Sequence, residues 1–148
     1  MFDFPDEGKS YGKILMYYTL KCDERSAYDK YPCGEWDYLT YTNVHKDGEV
    51  FELARYITPY GKRLDLGVDG FTWIYDVTDY APLLKGKVEL SSANTQELLD
   101  LRFQFIEGTP PREVLKIENL WKTGSYQYGN LIVRVGARAF GSTPTIMS

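Results

Sequence analysis

The sequence predicts an all-β fold: a two-layer sandwich of eight short antiparallel strands with one short helix. Three observations lead there. Segments rich in Tyr, Thr, Val, Ile and Leu recur without helical spacing, turn-forming Gly, Pro and Asp clusters separate them, and one segment alone carries helix start and stop signals. The 148 residues are 43% hydrophobic and 16% aromatic, with 13 Tyr, 7 Phe and 3 Trp. That is enough apolar area to offset the chain entropy of one domain, so disorder is excluded.

In chain order, Ile14 to Leu20 and Asp37 to Val44 read as strands because β-branched and aromatic side chains dominate both. His45-Lys46-Asp47-Gly48-Glu49 holds the Asp-Gly signal of a tight reversal, which makes His45 an exposed turn residue and Val50 to Ile57 the returning strand. Phe71 to Tyr75, Lys87 to Ser92, Leu98 to Ile106, Glu113 to Leu120 and Leu131 to Val135 complete the eight. Thr78 to Gly86 is the helical segment, with Thr78 as its cap and Gly86 as its left-handed terminator. Residues 1–135 read as one domain. Residues 136–148 lose periodicity around Gly141-Ser142-Thr143-Pro144 and read as a tail or linker towards a second domain.

The net charge is −4, with Lys and Arg scattered, so no basic face is available to displace counterions from nucleic acid. No run approaches the ~20 apolar residues of a bilayer span, so no membrane partner is expected. The first ten residues lack the pattern of an export signal. One His and two Cys cannot assemble a redox copper or catalytic zinc centre, so neither metal nor other cofactor is expected. Tyr56, Tyr60, Tyr126 and Tyr128 lie in or beside loops and are candidates for a sugar-stacking platform, against the plainer reading of strand composition.

The informative stretch runs from Cys22 to Asp37. Two cysteines bracket a polar loop, and an even count there favours a Cys22–Cys33 bridge over two free thiols. Such a bridge is valued at roughly 2–3 kcal/mol by chain entropy, and it implies an oxidising compartment, periplasmic or secreted. Glu35 and Asp37, one residue apart, would project from the same side of an extended strand, about 6–7 Å from each other, with Trp36 on the other side. Two carboxylates at that distance can divide acid and base work on a sugar; a solvated acidic strand start is the alternative.

Cys33-Gly34-Glu35-Trp36-Asp37, then Leu53-Ala54-Arg55-Tyr56-Ile57-Thr58-Pro59-Tyr60, Tyr75-Asp76-Val77-Thr78-Asp79-Tyr80 with Leu83-Leu84-Lys85-Gly86, and Glu107-Gly108-Thr109-Pro110 resemble, in order and spacing, the N-terminal domain of the bacterial peptide-N-glycosidase F (N-glycanase) family. The resemblance covers the chain from about Phe2 to Trp121. It implies an eight-stranded jelly roll that packs beside a second jelly-roll domain, with a metal-free active site in the cleft between them. It also implies an amidase acting on N-linked glycoproteins, with the catalytic aspartate at Asp37, Glu35, Trp36, Arg55 and Ile57 supporting it or binding substrate, and Cys22 as the bridge partner of Cys33.

Three departures from the family pattern qualify that expectation. The family's second acid falls where this chain has Asn94 or Thr95, with Glu97 the nearest carboxylate, and the basic residue after the aspartate is Tyr38 here. The second jelly roll is not among these residues, so the isolated chain is predicted to be inactive. The alternative is a non-catalytic carbohydrate- or protein-binding β-sandwich module of an exported protein. Copper-dependent peptide hydroxylating monooxygenases have a similar paired-sandwich architecture, but a single His cannot supply their several ligands.

Overall fold

The computed structural model describes residues 1–5, 8–27, 30–92 and 96–119, together with the backbone of 124–128, 131–135 and 145–147. The chain falls into two compact units, Met1–Ile117 and Glu118–Ser148.

The first unit is a sandwich of two antiparallel sheets. One has the order β1 (Phe2–Phe4), β6 (Gly86–Ser92), β3 (Leu39–Lys46) and β4 (Glu49–Ile57); the other has β5 (Phe71–Asp76), β2 (Tyr11–Lys21) and β7 (Leu98–Glu107). β2 shows why the layers form. Its alternate residues Ile14, Met16, Tyr18 and Leu20 are fully buried, while Leu15, Tyr17, Thr19 and Lys21 between them are only partly covered. Full burial of one such side chain is worth about 1.5–3 kcal/mol, so a slip of one residue in the β2–β7 register would expose the whole row.

Across the interior, the Tyr18 ring meets Tyr56 edge-on at 4.4 Å, and Tyr56 stacks on Trp73 at 4.9 Å. The polar tips are partnered: Tyr18 Oη lies 3.1 Å from Thr40 Oγ1, and Ser92 Oγ donates to it at 3.3 Å. Tyr56 is therefore a core residue rather than part of a sugar platform, and burial pushes its phenol far above the usual tyrosine range.

The β3–β4 hairpin turns on Asp47 and Gly48, both at positive φ (52° and 79°), which is the two-residue geometry the Asp-Gly pair favours. The turn is tighter than the sequence reading placed it. His45 is still in β3, half-buried, with Nε2 2.6 Å from Ser91 Oγ, and is not an exposed turn residue.

Other expectations are corrected. Asp37 and Tyr38 precede β3 rather than opening it. Residues 113–119 form no ladder; Ile117 packs by side chain against the core, and Arg112 pairs with Asp79. Within the first unit the described strands are β1 to β7, and the expected strand Leu131–Val135 is present in the second unit. β1 was not anticipated. The short helix is a 3-10 helix, Thr78–Leu83, and Thr78 does not cap it. Its hydroxyl instead accepts the Ile14 N–H at 3.0 Å, and the Asp76 carboxylate accepts the Thr78 N–H at 3.1 Å, a cap from outside the helix. Gly86 is left-handed at φ 60°, but it lies two residues beyond the Leu84 cap, at the start of β6, and does not itself terminate the helix.

The second unit contains β8 (Gly124–Tyr128), β9 (Leu131–Val135) and β10 (Thr145–Met147), antiparallel in the order β10-β9-β8. Tyr126 and Tyr128 thus lie in a strand, and the stretch read as a tail contributes β10 to the same sheet. Among the described residues no helix is long and apolar enough to cross a membrane.

Candidate active site

β2 ends at Lys21 and β3 opens at Leu39, and none of the described residues between them belongs to a strand. The Cys22–Cys33 disulfide closes the loop across a sequence separation of 11, with the Cα atoms 6.1 Å apart, as the sequence led us to expect. Cys22 is anchored further by its N–H, which donates to the Gly67 carbonyl at 2.7 Å. At the start of the loop the Asp23 carboxylate accepts the Arg25 N–H at 2.8 Å and pairs with the Arg25 guanidinium, which holds its carboxyl below the usual range. Gly34 sits at φ 95°, and a Cβ there would lie 3.2 Å from Leu64 Cδ2 as well as meeting the left-handed penalty. Its carbonyl accepts the Gly61 N–H at 3.1 Å, tying the loop to the segment after β4.

Glu35 is 6% exposed. Its carboxylate accepts the main-chain N–H of Lys30 at 3.2 Å and of Tyr31 at 2.5 Å. The expected pairing with Asp37 on one strand face is thereby corrected: the segment is a loop, and Glu35 is turned back into it as an internal cap.

Asp37 is half-buried, and among the described residues nothing donates a hydrogen bond or forms an ion pair with its carboxylate. Its backbone, by contrast, is fixed on both sides by Thr58. Thr58 Oγ1 accepts the Tyr38 N–H at 2.9 Å and donates to the Trp36 carbonyl at 3.2 Å, and the Thr58 N–H donates to the Tyr38 carbonyl at 2.9 Å. The last bond carries the β3–β4 ladder one step past the Leu39–Ile57 pair. Trp36 and Ile57, 45% and 44% exposed, therefore stand at the same strand end as Asp37, with Tyr60 exposed just beyond.

Arg55 faces Tyr41 across the ladder and is engaged by Glu52, its Nε lying 2.8 Å from Glu52 Oε1. That pairing raises its pKa above the ordinary arginine value and commits it to Glu52 rather than to Asp37. Glu52 and Thr58 are the residues the sequence reading did not single out. Thr58 lay inside a quoted motif, but no local pattern says that its hydroxyl reaches a loop 20 residues upstream.

Glu97, next to β7, is 7% exposed, and among the described residues neither carboxylate oxygen has a hydrogen-bond partner. It lies one step beyond the Leu98–Lys21 pair of the β2–β7 ladder, towards Cys22 and so towards the loop that carries Asp37. Asn94 and Thr95 lie outside the described residues. An apolar cleft of about 440 Å³, walled by Tyr11, Ile14, Leu84, Phe105 and Val114, is not lined by Asp37. Among the described residues no three His, Cys, Asp or Glu side chains gather as a metal-holding group.

No protein-family model matches the chain. A curated relative, peptide-N(4)-(N-acetyl-beta-D-glucosaminyl)asparagine amidase F of Elizabethkingia miricola, is 31% identical over 121 residues, covering 74% of this chain and 30% of that protein. Among solved structures, PNGase F, a glycosylasparaginase from Flavobacterium meningosepticum, superimposes with a TM-score of 0.57 at 28% identity, over 74% of this chain and 35% of its own. A second structure of the asparagine amidase gives 0.56 at 30% identity with the same coverage. The chain thus spans about a third of the length of the proteins it matches. Sequence and fold agree that this chain, over 74% of its length, is similar to peptide-N-glycosidase F through an N-terminal-domain-like part.

Proposed function

We propose that this chain supplies the Asp37-bearing half of an amidase site that hydrolyses the link between an N-linked glycan and asparagine. A neutral amide is a poor electrophile, so the site must activate water, stabilise an oxyanion and protonate the departing nitrogen. The observation that carries the reading is the contrast at Asp37: a rigidly held backbone bearing a carboxylate with no structural partner among the described residues. A carboxylate spent on capping, as at Glu35, is not available for proton transfer; that of Asp37 is.

Trp36 and Ile57 offer apolar surface at the same strand end, suited to the face of a sugar ring. Arg55, held by Glu52, adds a fixed cation to the outer face of the hairpin for substrate hydroxyls or carbonyls. A second jelly-roll domain completes the cleft, so the isolated chain releases no glycan. The disulfide favours action in the periplasm or outside the cell on secreted N-linked glycoproteins. No nucleic acid, membrane or cofactor enters this reading.

The test is glycan-release mass spectrometry with the natural gene product, wild type beside Asp37→Asn. Loss of release with an unchanged melting temperature is expected; undiminished release overturns the role of Asp37. The exposed pair Trp36 and Tyr60 favours one second reading, a module that binds glycans without cleaving them. Binding on a glycan array by a wild-type gene product that releases nothing would establish that reading instead.

A further inference from the structure

We propose that Thr58 is the positioning residue of the Asp37 carboxylate; the inference rests on the reading of Asp37 as the reacting acid. The peptide plane before Asp37 carries the Trp36 carbonyl, and the plane after it carries the Tyr38 N–H. A single atom, Thr58 Oγ1, bonds both, at 3.2 Å and 2.9 Å. The orientation of the first plane sets φ of Asp37 and that of the second sets ψ, so one hydroxyl fixes the direction in which the Asp37 side chain leaves the main chain.

The Thr58 N–H bond to the Tyr38 carbonyl at 2.9 Å holds the clamp itself in register with the β3–β4 ladder. Thr58 is 1% exposed, so water cannot readily replace the hydroxyl, and its bonds act in a low-dielectric setting. A loop held this way departs from the usual mobility of connecting segments, which is what a reacting group needs. The clamp also explains how the Asp37 backbone is fixed although, among the described residues, nothing bonds its carboxylate.

Thr58→Val keeps the branched shape and removes both hydroxyl bonds; Thr58→Ser keeps the hydroxyl. In the natural gene product, Thr58→Val is expected to lower kcat for glycan release by about 10- to 100-fold with KM little changed, since misplacing a reacting group by an ångström has that effect. Thr58→Ser is expected to restore most of it. Hydrogen exchange at the Tyr38 amide is expected to be protected in wild type and Thr58→Ser and to quicken at least tenfold in Thr58→Val.

Equal losses in the Ser and Val variants, or a change confined to KM, would overturn the inference. Should Thr58→Val fail to fold, an unprotected Tyr38 amide in wild type, or a Ser variant with kcat reduced tenfold or more, overturns it equally. Loss of activity in Asp37→Asn with full activity in Thr58→Val sinks the positioning role alone, whereas full activity in Asp37→Asn sinks the underlying reading of Asp37.

Discussion

The Glu35 carboxylate reaches back four residues to accept the Tyr31 N–H at 2.5 Å, from a side chain that is only 6% exposed. With the Lys30 N–H as second donor, it substitutes for the ladder that this loop does not have. These two bonds make the Glu35 carboxylate part of the loop's framework.

Removing it leaves two main-chain donors unsatisfied, so Glu35→Ala is expected to destabilise the oxidised protein by about 2–3 kcal/mol. Glu35→Gln retains one acceptor oxygen and is expected to cost about 1 kcal/mol while leaving glycan release intact. Urea denaturation and a release assay on the same variants check both. An Ala variant as stable as wild type would contradict the framework role, and an inactive but stable Gln variant would return Glu35 to the chemistry.

The different fates of Glu35 and Asp37 show where sequence reading succeeds and where it stops. β2 was legible because Ile14 to Leu20 is dense in β-favouring side chains without helical spacing, whereas the alternate burial of Ile14, Met16, Tyr18 and Leu20 is set by the two layers and shows only in the structure. The β3–β4 hairpin was legible because Asp47 and Gly48 suit positive φ. β1 was not: three residues hold no periodicity, and it exists through its ladder with β6 and the 4.9 Å contact of Phe4 with Phe103. The apparent strand from Glu113 has apolar residues but no ladder partner, and Leu115 is 86% exposed. Asp37 was found through a motif. Its isolation from Glu35 goes with a left-handed Gly34 between strands and with two contacts distant in sequence, the disulfide and a threonine 21 positions downstream.

Acid sensitivity is expected at the entry to the 3-10 helix. Asp76 accepts hydrogen bonds from the Thr78 hydroxyl and N–H and lies 3.2 Å from Lys13 Nζ, which together hold its carboxyl below the ordinary value of 3.8. The unfolded chain then binds more protons than the folded one as the pH falls through this region. The contribution is complete above about 3.8 and fades as the pH drops towards the folded-state value. Wild type is expected to exceed Asp76→Asn by about 0.5–1 kcal/mol at pH 6, a modest figure because the group is half exposed. The gap should narrow at pH 3, measured by denaturation at both values. A constant gap would mean that Asp76 does not carry the dependence.

Glu97 presents the opposite case. Among the described residues neither oxygen of this 7% exposed carboxylate has a hydrogen-bond partner to offset its lost hydration, and the same holds for the buried Gln96 Oε1 beside it. Glu97→Leu, of similar reach and without the charge, is therefore expected to stabilise the protein by about 1–2 kcal/mol, read as a higher urea midpoint at unchanged slope. A lower midpoint would show that the carboxylate gains a donor in solution. If the Leu variant is more stable and also loses glycan release in the natural gene product, the unmet acceptors are retained for function at the expense of stability, as is common where a site must receive a ligand. A stable variant with full release would leave Glu97 as a plain defect in the packing near Cys22.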